Sequence, residues 1–172
     1  MRNMPVVAHQ KMIQELGVEV IAVPNDTFTT AIAGDFINMA NADRVLFIIA
    51  EGLWTNTVDA ADVTLAQATN AAGSDAKPLA FSEKWAKVAF TGGKWVRADV
   101  TSNTYKLSLT DNTVSAIEVH AEMLDRDNGF NFVTVNVADP GGNNAALSCI
   151  IAIIGGVRYQ GDPAVILPDF KV

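Results

Sequence analysis

At 172 residues and 18.3 kDa, the chain suits one domain with arms and leaves no room for a two-lobed enzyme. Twelve basic against nineteen acidic residues give a net charge of -7, which excludes the basic face that nucleic-acid binding requires. Charged residues reach only 18% and the mean hydropathy is +0.21, yet the longest apolar run, Ala145 to Ile154, is about half of the ~20 residues of a membrane-spanning helix.

The first residues show no hydrophobic period. Ile13 and Leu16 give a weak stripe worth at most two helical turns over Gln10 to Leu16, ahead of Gly17. No charged region followed by an apolar stretch and a small-residue cleavage site precedes it, so residues 1–17 are expected to form an N-terminal arm and not a signal peptide. Val18 to Val23 reads as a strand stopped by Pro24-Asn25-Asp26, and Thr27 to Ala33 as another, broken at Gly34-Asp35. Arg44 to Ala50 is a continuous apolar run bounded by turn residues, which fits a strand buried on both faces. Ala60 to Ala72 is ambiguous, because its alanines favour helix while Val63, Thr64 and Thr69 oppose it.

Phe81 to Phe90 and Lys94 to Val100 flank Gly92-Gly93, which suits a two-residue hairpin turn. That turn would place Lys87 opposite Ala98 and set Trp85 diagonal to Trp95, beyond direct pairing. Tyr105, Leu107 and Leu109 share one face of a short strand. Further on, Ile117, Val119, Ala121 and Met123 alternate with Glu118, His120 and Glu122. Asp125 to Gly129 supplies a turn, and Phe130 to Val137 returns with Val133, Val135 and Val137 aligned, so a hairpin with one solvated side is expected. Ala145 to Ile154 is the last strand, closed by Gly155-Gly156. Residues 161–172 form an apolar tail bracketed by Pro163 and Pro168, whose missing amide donors keep it out of a sheet interior. Such a tail can pack across its own domain or dock on a neighbour. Short strands punctuated by turns place residues 18–160 in one all-β domain, an antiparallel sandwich of jelly-roll type with extended N- and C-terminal arms.

No residue set carries chemistry on its own. Cys149, the single cysteine, sits in Leu147-Ser-Cys149-Ile-Ile and reads as a buried small hydrophobe. Asp125 to Gly129 hints at a calcium loop, but the glycine comes one place early and Asn136 stands where a bidentate glutamate belongs. Gly92-Gly93-Lys94-Trp95 lacks the earlier glycine and the Ser/Thr of a phosphate loop. His9 and His120 have no metal-ligand spacing around them, and His120 belongs to a solvated face. Asp59 and Asp62 suit loop capping, and the sequon Asn25-Asp26-Thr27 has no meaning in a chain that is not secreted. Catalytic, cofactor-binding and metal residues are therefore all expected to be none, with no cofactor. Trp54, Trp85 and Trp95 can fill a core, anchor an interface or stack on sugar rings.

Two stretches carry a resemblance. Leu65-Ala-Gln67-Ala-Thr69-Asn-Ala-Ala-Gly73-Ser-Asp75-Ala-Lys77 and Glu122-Met-Leu124-Asp125-Arg-Asp-Asn128-Gly129-Phe130-Asn-Phe-Val133-Thr-Val135 resemble segments of small structural proteins that tailed bacteriophages encode beside their head genes. The likeness runs in order from Val63 to Tyr159, and the N-terminal region departs from it. It implies a virion protein, a decoration or cement protein on the outer capsid surface. Its partner would then be the major capsid protein, and it would form a dimer or trimer of its own. The implied place is the virion, after synthesis in the host cytoplasm, with no nucleic acid, no membrane and no enzymatic activity. A neck or tail component is the alternative within the virion, and a carbohydrate-binding sandwich module the alternative outside it.

Overall fold

The computed structural model describes residues 16–26, 31–55, 59–88, 93–101, 103–140 and 146–156. Most of the N-terminal arm and all of the C-terminal tail, 161–172, lie outside these residues, as does His9. Gly17, placed at the end of the arm, is the first residue of a strand. Twelve strands follow in chain order: β1 Gly17–Asp26, β2 Ile32–Ala33, β3 Ile37–Asn38, β4 Arg44–Trp54, β5 Asp62–Ala68, β6 Lys77–Leu79, β7 Glu83–Val88, β8 Val96–Asp99, β9 Thr104–Lys106, β10 Thr113–His120, β11 Phe132–Val137 and β12 Ala146–Gly155. They build two antiparallel sheets. One has the order β1-β12-β4-β10-β7-β8, and the other β2-β11-β5-β6 with β3 also on β11 and β9 also on β5. Among the described residues the only helical pieces are two 3-10 turns, Ala121–Met123 and Arg126–Asn128. The chain is an all-β antiparallel sandwich.

Period-two alternation decides which side chains enter the space between the sheets. Val45, Phe47 and Ile49 of β4, Ile117 and Val119 of β10, and Ile150 and Ile154 of β12 come from the larger sheet with no exposure. Val63 and Leu65 of β5 and Val133, Val135 and Val137 of β11 meet them from the smaller one. Fully burying each such side chain contributes roughly 1.5–3 kcal/mol. β4 corrects one expectation: its core face is buried, but Leu46, Ile48 and Ala50 on the opposite face are only partly covered. The run is apolar on both faces although only one faces the core.

Three local readings change with the tertiary pairing. The ambiguous segment is strand β5, since six consecutive pairs with β11, from Val63 opposite Val137 to Ala68 opposite Phe132, outweigh the helix preference of its alanines. The expected hairpin between the Ile117 and Phe130 segments does not form. β10 pairs with β4 and β7, whereas β11 pairs with β5, β2 and β3, so the Asp125 to Gly129 turn carries the chain from one sheet to the other. Two strands with one apolar face each can hide it side by side or across a core, and alternation alone does not separate the two. In the β7–β8 pair the register is shifted by three residues: Ala98 faces Lys84, and Trp85 faces Arg97.

Gly34 fixes the approach of the β2 segment to β11. Its amide donates to the Val135 carbonyl at 3.1 Å, and the Thr134 hydroxyl donates to the Gly34 carbonyl at 2.6 Å. A Cβ there would meet the Val135 oxygen at 2.8 Å and Ile21 Cδ1 at 2.9 Å. Gly34→Ala should therefore lower unfolding free energy by about 1–3 kcal/mol, read as a shift in urea midpoint. An unchanged midpoint would show that the two strands can separate here without cost.

Candidate functional site

The two stretches that carry the family resemblance are distant in sequence and adjacent in space. Gln67, buried in β5, accepts the Asp125 amide through Oε1 at 2.8 Å. Lys77 at the start of β6 reaches Asp125 Oδ2 at 2.5 Å and lies 3.8 Å above the centre of the Phe130 ring. Asn128 donates to Asp125 Oδ1 at 2.8 Å, and Gly129 closes the turn with φ of 84°, a backbone state that costs a side-chain-bearing residue about 1–2 kcal/mol. Thr69 and Asp75 clip the neighbouring loop together at 2.5 Å. The Lys77 ammonium and then the Asn128 amide hold the Asp125 carboxyl below its usual range. Asp125, the first residue of the segment that hints at a calcium loop, thus spends both carboxylate oxygens on Lys77 and Asn128. This knot ties the sheet-crossing segment to β5 and β6.

A second polar group lies inside the sandwich. Along β12, Ala146 faces Trp54 while Ser148 faces Glu51, so β4 carries one extra residue at Gly52-Leu53. Glu51, 5% exposed, keeps the inward phase of Val45, Phe47 and Ile49, while the bulge turns Trp54 to the same side at 8% exposure and pushes Leu53 out to 66%. Asp111 accepts the Trp54 amide at 2.9 Å, and the Asn112 amide donates to the Gly52 carbonyl at 3.0 Å, which fixes the distortion. Lys84 of β7 sits with its Nζ 4.0 Å above the Tyr105 ring, and the Tyr105 hydroxyl is 2.8 Å from Ser115 Oγ. Burial raises the Glu51 carboxyl to about 8, and the Lys84 charge and hydrogen bonding with Trp54 pull it back only in part. The same burial lowers the Lys84 ammonium and raises the Tyr105 phenol. Alternation from Val45, Phe47 and Ile49 already points Glu51 inward, and only the bulge brings Trp54 to the same side.

The outward face of the larger sheet divides in two. Val18 faces Ile153, which faces Leu46, and that row ends in the charged Glu118; Val20 faces Ile151, which faces Ile48, which faces Ala116; Cys149 faces Ala50, which faces Val114. Val18 and Val20 are 47% and 44% exposed, and apart from the buried Ala116 the other apolar positions are partly covered by their neighbours. This half is an apolar plane across β1, β12, β4 and β10. The other half, on β7 and β8, is charged and aromatic. Arg97 bonds Glu83 at 2.6 Å and Asp99 at 2.9 Å beside Trp85.

The candidates raised from sequence fall into place individually. Cys149 is half-buried on the apolar plane instead of fully buried, and burial raises its thiol pKa. His120 is on the solvated side with Glu118 3.8 Å away, whereas Glu122 lies in the 3-10 turn that ends β10. Asp62 pairs with Lys106 at 3.6 Å, and Asp59 is exposed. Trp54 belongs to the core, while Trp85 and Trp95 do not. Gly93 and Lys94 are exposed, and Gly92 and the side chains of Asn25-Asp26-Thr27 lie outside the described residues. Among the described residues no group of three or more His, Cys, Asp or Glu is arranged to hold a metal ion.

No family model matches the chain, and no curated protein matches it. Among solved structures it is similar to the SPBc2 prophage-derived protein YomS, with 11% identity over 81% of this chain and 92% of that chain, at a TM-score of 0.43.

The inward acid makes stability depend on pH. Between its ordinary value of 4.5 and about 8, Glu51 holds a proton in the folded chain that the unfolded chain has released. Stability therefore falls as pH rises through that window, at up to about 1.4 kcal/mol per pH unit. Glu51→Gln should flatten the decline of the urea midpoint from mildly acidic to mildly alkaline solution. Parallel profiles for the two proteins would show that Glu51 ionises in the fold as it does in water.

Proposed function

We propose that the protein is a structural component of a phage virion that docks on the outside of the head and stabilises the shell, as a decoration or cement protein without enzymatic activity. The observation that carries this reading is the apolar plane on the outward face of the larger sheet. Its ten positions on four strands cover roughly 300 Å² at ordinary strand spacing. Patches of this size on small proteins are often functional. A stable interface buries about 800 Å² per partner, so the plane has the size of an interface centre whose rim must come from elsewhere on the chain.

The strand order supports the jelly-roll part of the reading. With β7–β9 set aside as an insertion and β2 and β3 counted as one interrupted strand, the first strand lies beside the last, the last beside the third and the third beside the sixth. The second, seventh, fourth and fifth make the opposite sheet. That winding gives a stiff plate with one flat side. A plate that buries its flat side across the seam between shell subunits opposes their separation, because pulling them apart returns apolar surface to water. The low charge content of the chain suits such contact, and its net charge of -7 keeps it off packaged nucleic acid. The partner in this reading is the major capsid protein, with copies of the chain meeting each other around local symmetry axes.

The test is reconstitution on heads purified without the protein. Native chain should saturate a fixed number of sites on the shell surface, visible by electron microscopy. The double variant Ile48→Lys, Ile151→Lys should bind at least about a hundredfold more weakly, given roughly 1.5–3 kcal/mol for each apolar side chain withdrawn from an interface. Both positions face outward but are partly covered and opposite each other, so the variant should unfold somewhat below the native chain, and binding is compared where both are fully folded. Undiminished saturation by a well-folded variant would remove the plane from head attachment.

A further inference from the structure

The charged half of the outward face holds two exposed tryptophans side by side. Trp85 on β7 faces Arg97 on β8 and is 39% exposed. Trp95, 42% exposed, lies just ahead of β8, where the Lys87 ammonium stands 5.1 Å from its ring centre. Lys87 is two residues from Trp85 on the same face of β7, so both indoles belong to one surface. Diagonal neighbours in a sheet stand roughly 7–8 Å apart. Glu83 and Asp99 flank the pair from the other side, both tied to Arg97.

We propose that Trp85 and Trp95 form a stacking platform for consecutive pyranose rings of a saccharide chain, a site that adjoins the apolar plane, since Trp85 faces Ala116 and Lys87 faces Val114. A pyranose has a C–H face that packs on an indole and a rim of hydroxyls that both donate and accept hydrogen bonds. The platform offers the matching pair of surfaces. Its rings supply apolar contact, and Glu83 and Asp99 accept where Lys87 and Arg97 donate. Two carboxylates against one ammonium and one guanidinium leave the patch locally neutral, which suits an uncharged polyol. A protein contact is the less favoured occupant, because interface centres are depleted of charge whereas here charged groups surround both rings. A phosphate-bearing chain is disfavoured by the two carboxylates. With two open rings and no enclosing cavity, affinity is expected near the millimolar range.

The full-length chain should be titrated with soluble β-1,4-linked hexasaccharides of glucose and of N-acetylglucosamine, following the indole N–H signals by NMR and tryptophan fluorescence. The expected result is a saturable shift of the Trp85 and Trp95 signals with at least one of the two sugars, with Trp54 unmoved. Affinity should fall about tenfold or more in Trp85→Ala and in Trp95→Ala, whose thermal unfolding should match the native chain because both rings are at the surface. Saccharide binding should persist in the Ile48→Lys, Ile151→Lys variant, and head attachment should persist in the tryptophan variants, so each proposal can fail without the other. Absence of any indole shift with both sugars overturns the platform. So does binding that survives in the double tryptophan variant, or loss of head attachment in the tryptophan variants without saccharide binding, which would make the rings a protein contact.

Discussion

Strand β4 is paired on both sides, with β12 from Arg44 to Trp54 and with β10 from Arg44 to Ala50. Its backbone donors and acceptors are therefore taken up within the sheet, and what remains to be decided is only which side chains go to which face. The inner face is settled by Val45, Phe47 and Ile49, which are completely buried. Because alternation is strict, the outer face must then display Leu46, Ile48 and Ala50. An apolar outer face is not needed for the core, and it continues onto β12, β1 and β10. The constraint that builds the sandwich also fixes, residue by residue, what the plate shows to its surroundings.

The bulge at Gly52-Leu53 breaks that alternation once. One extra residue brings a carboxyl and an indole to the same side, where a regular strand would have separated them. The cost is an acid held among apolar groups, and Lys84, Tyr105 and Ser115 are arranged around it instead of around solvent. At 5% and 7% exposure, Glu51 and Tyr105 are almost wholly enclosed.

Much of the architecture is legible in the sequence because a sandwich strand is a local pattern. Val133, Val135 and Val137 alternate with polar or half-buried positions, and all three are core residues. The outward placement of Glu118 and His120 follows from the same rule. What local pattern cannot supply is the partner of each strand. The Ile117 and Phe130 segments look like two arms of a hairpin, yet they belong to opposite sheets, since hiding an apolar face across the core satisfies the pattern equally well. The β7–β8 register escaped for a related reason: Gly92-Gly93 permits a tight turn but does not require one, and the observed pairing starts further from it. Of the candidate sites, the Gln67–Lys77–Asp125 knot was visible only as two familiar stretches, and the apolar plane only as one strand that was greasier than one buried face demands. Trp54 separates from Trp85 and Trp95 only once the bulge is known.

The knot between Lys77, Asp125 and Gln67 and the crossing turn matter for assembly order, but the neighbourhood of β1 matters more. Gly17 sits opposite Ile154, and among the described strands β1 has β12 alone beside it. The earliest of the described strands is thus completed by the latest. During synthesis on the ribosome, β1 must wait, unpaired, until almost all the remaining domain has been translated. A chain halted before Ala146 would retain the smaller sheet and lose the seam that joins β1 to β4, leaving β4 with a bare edge just where copies could pair wrongly.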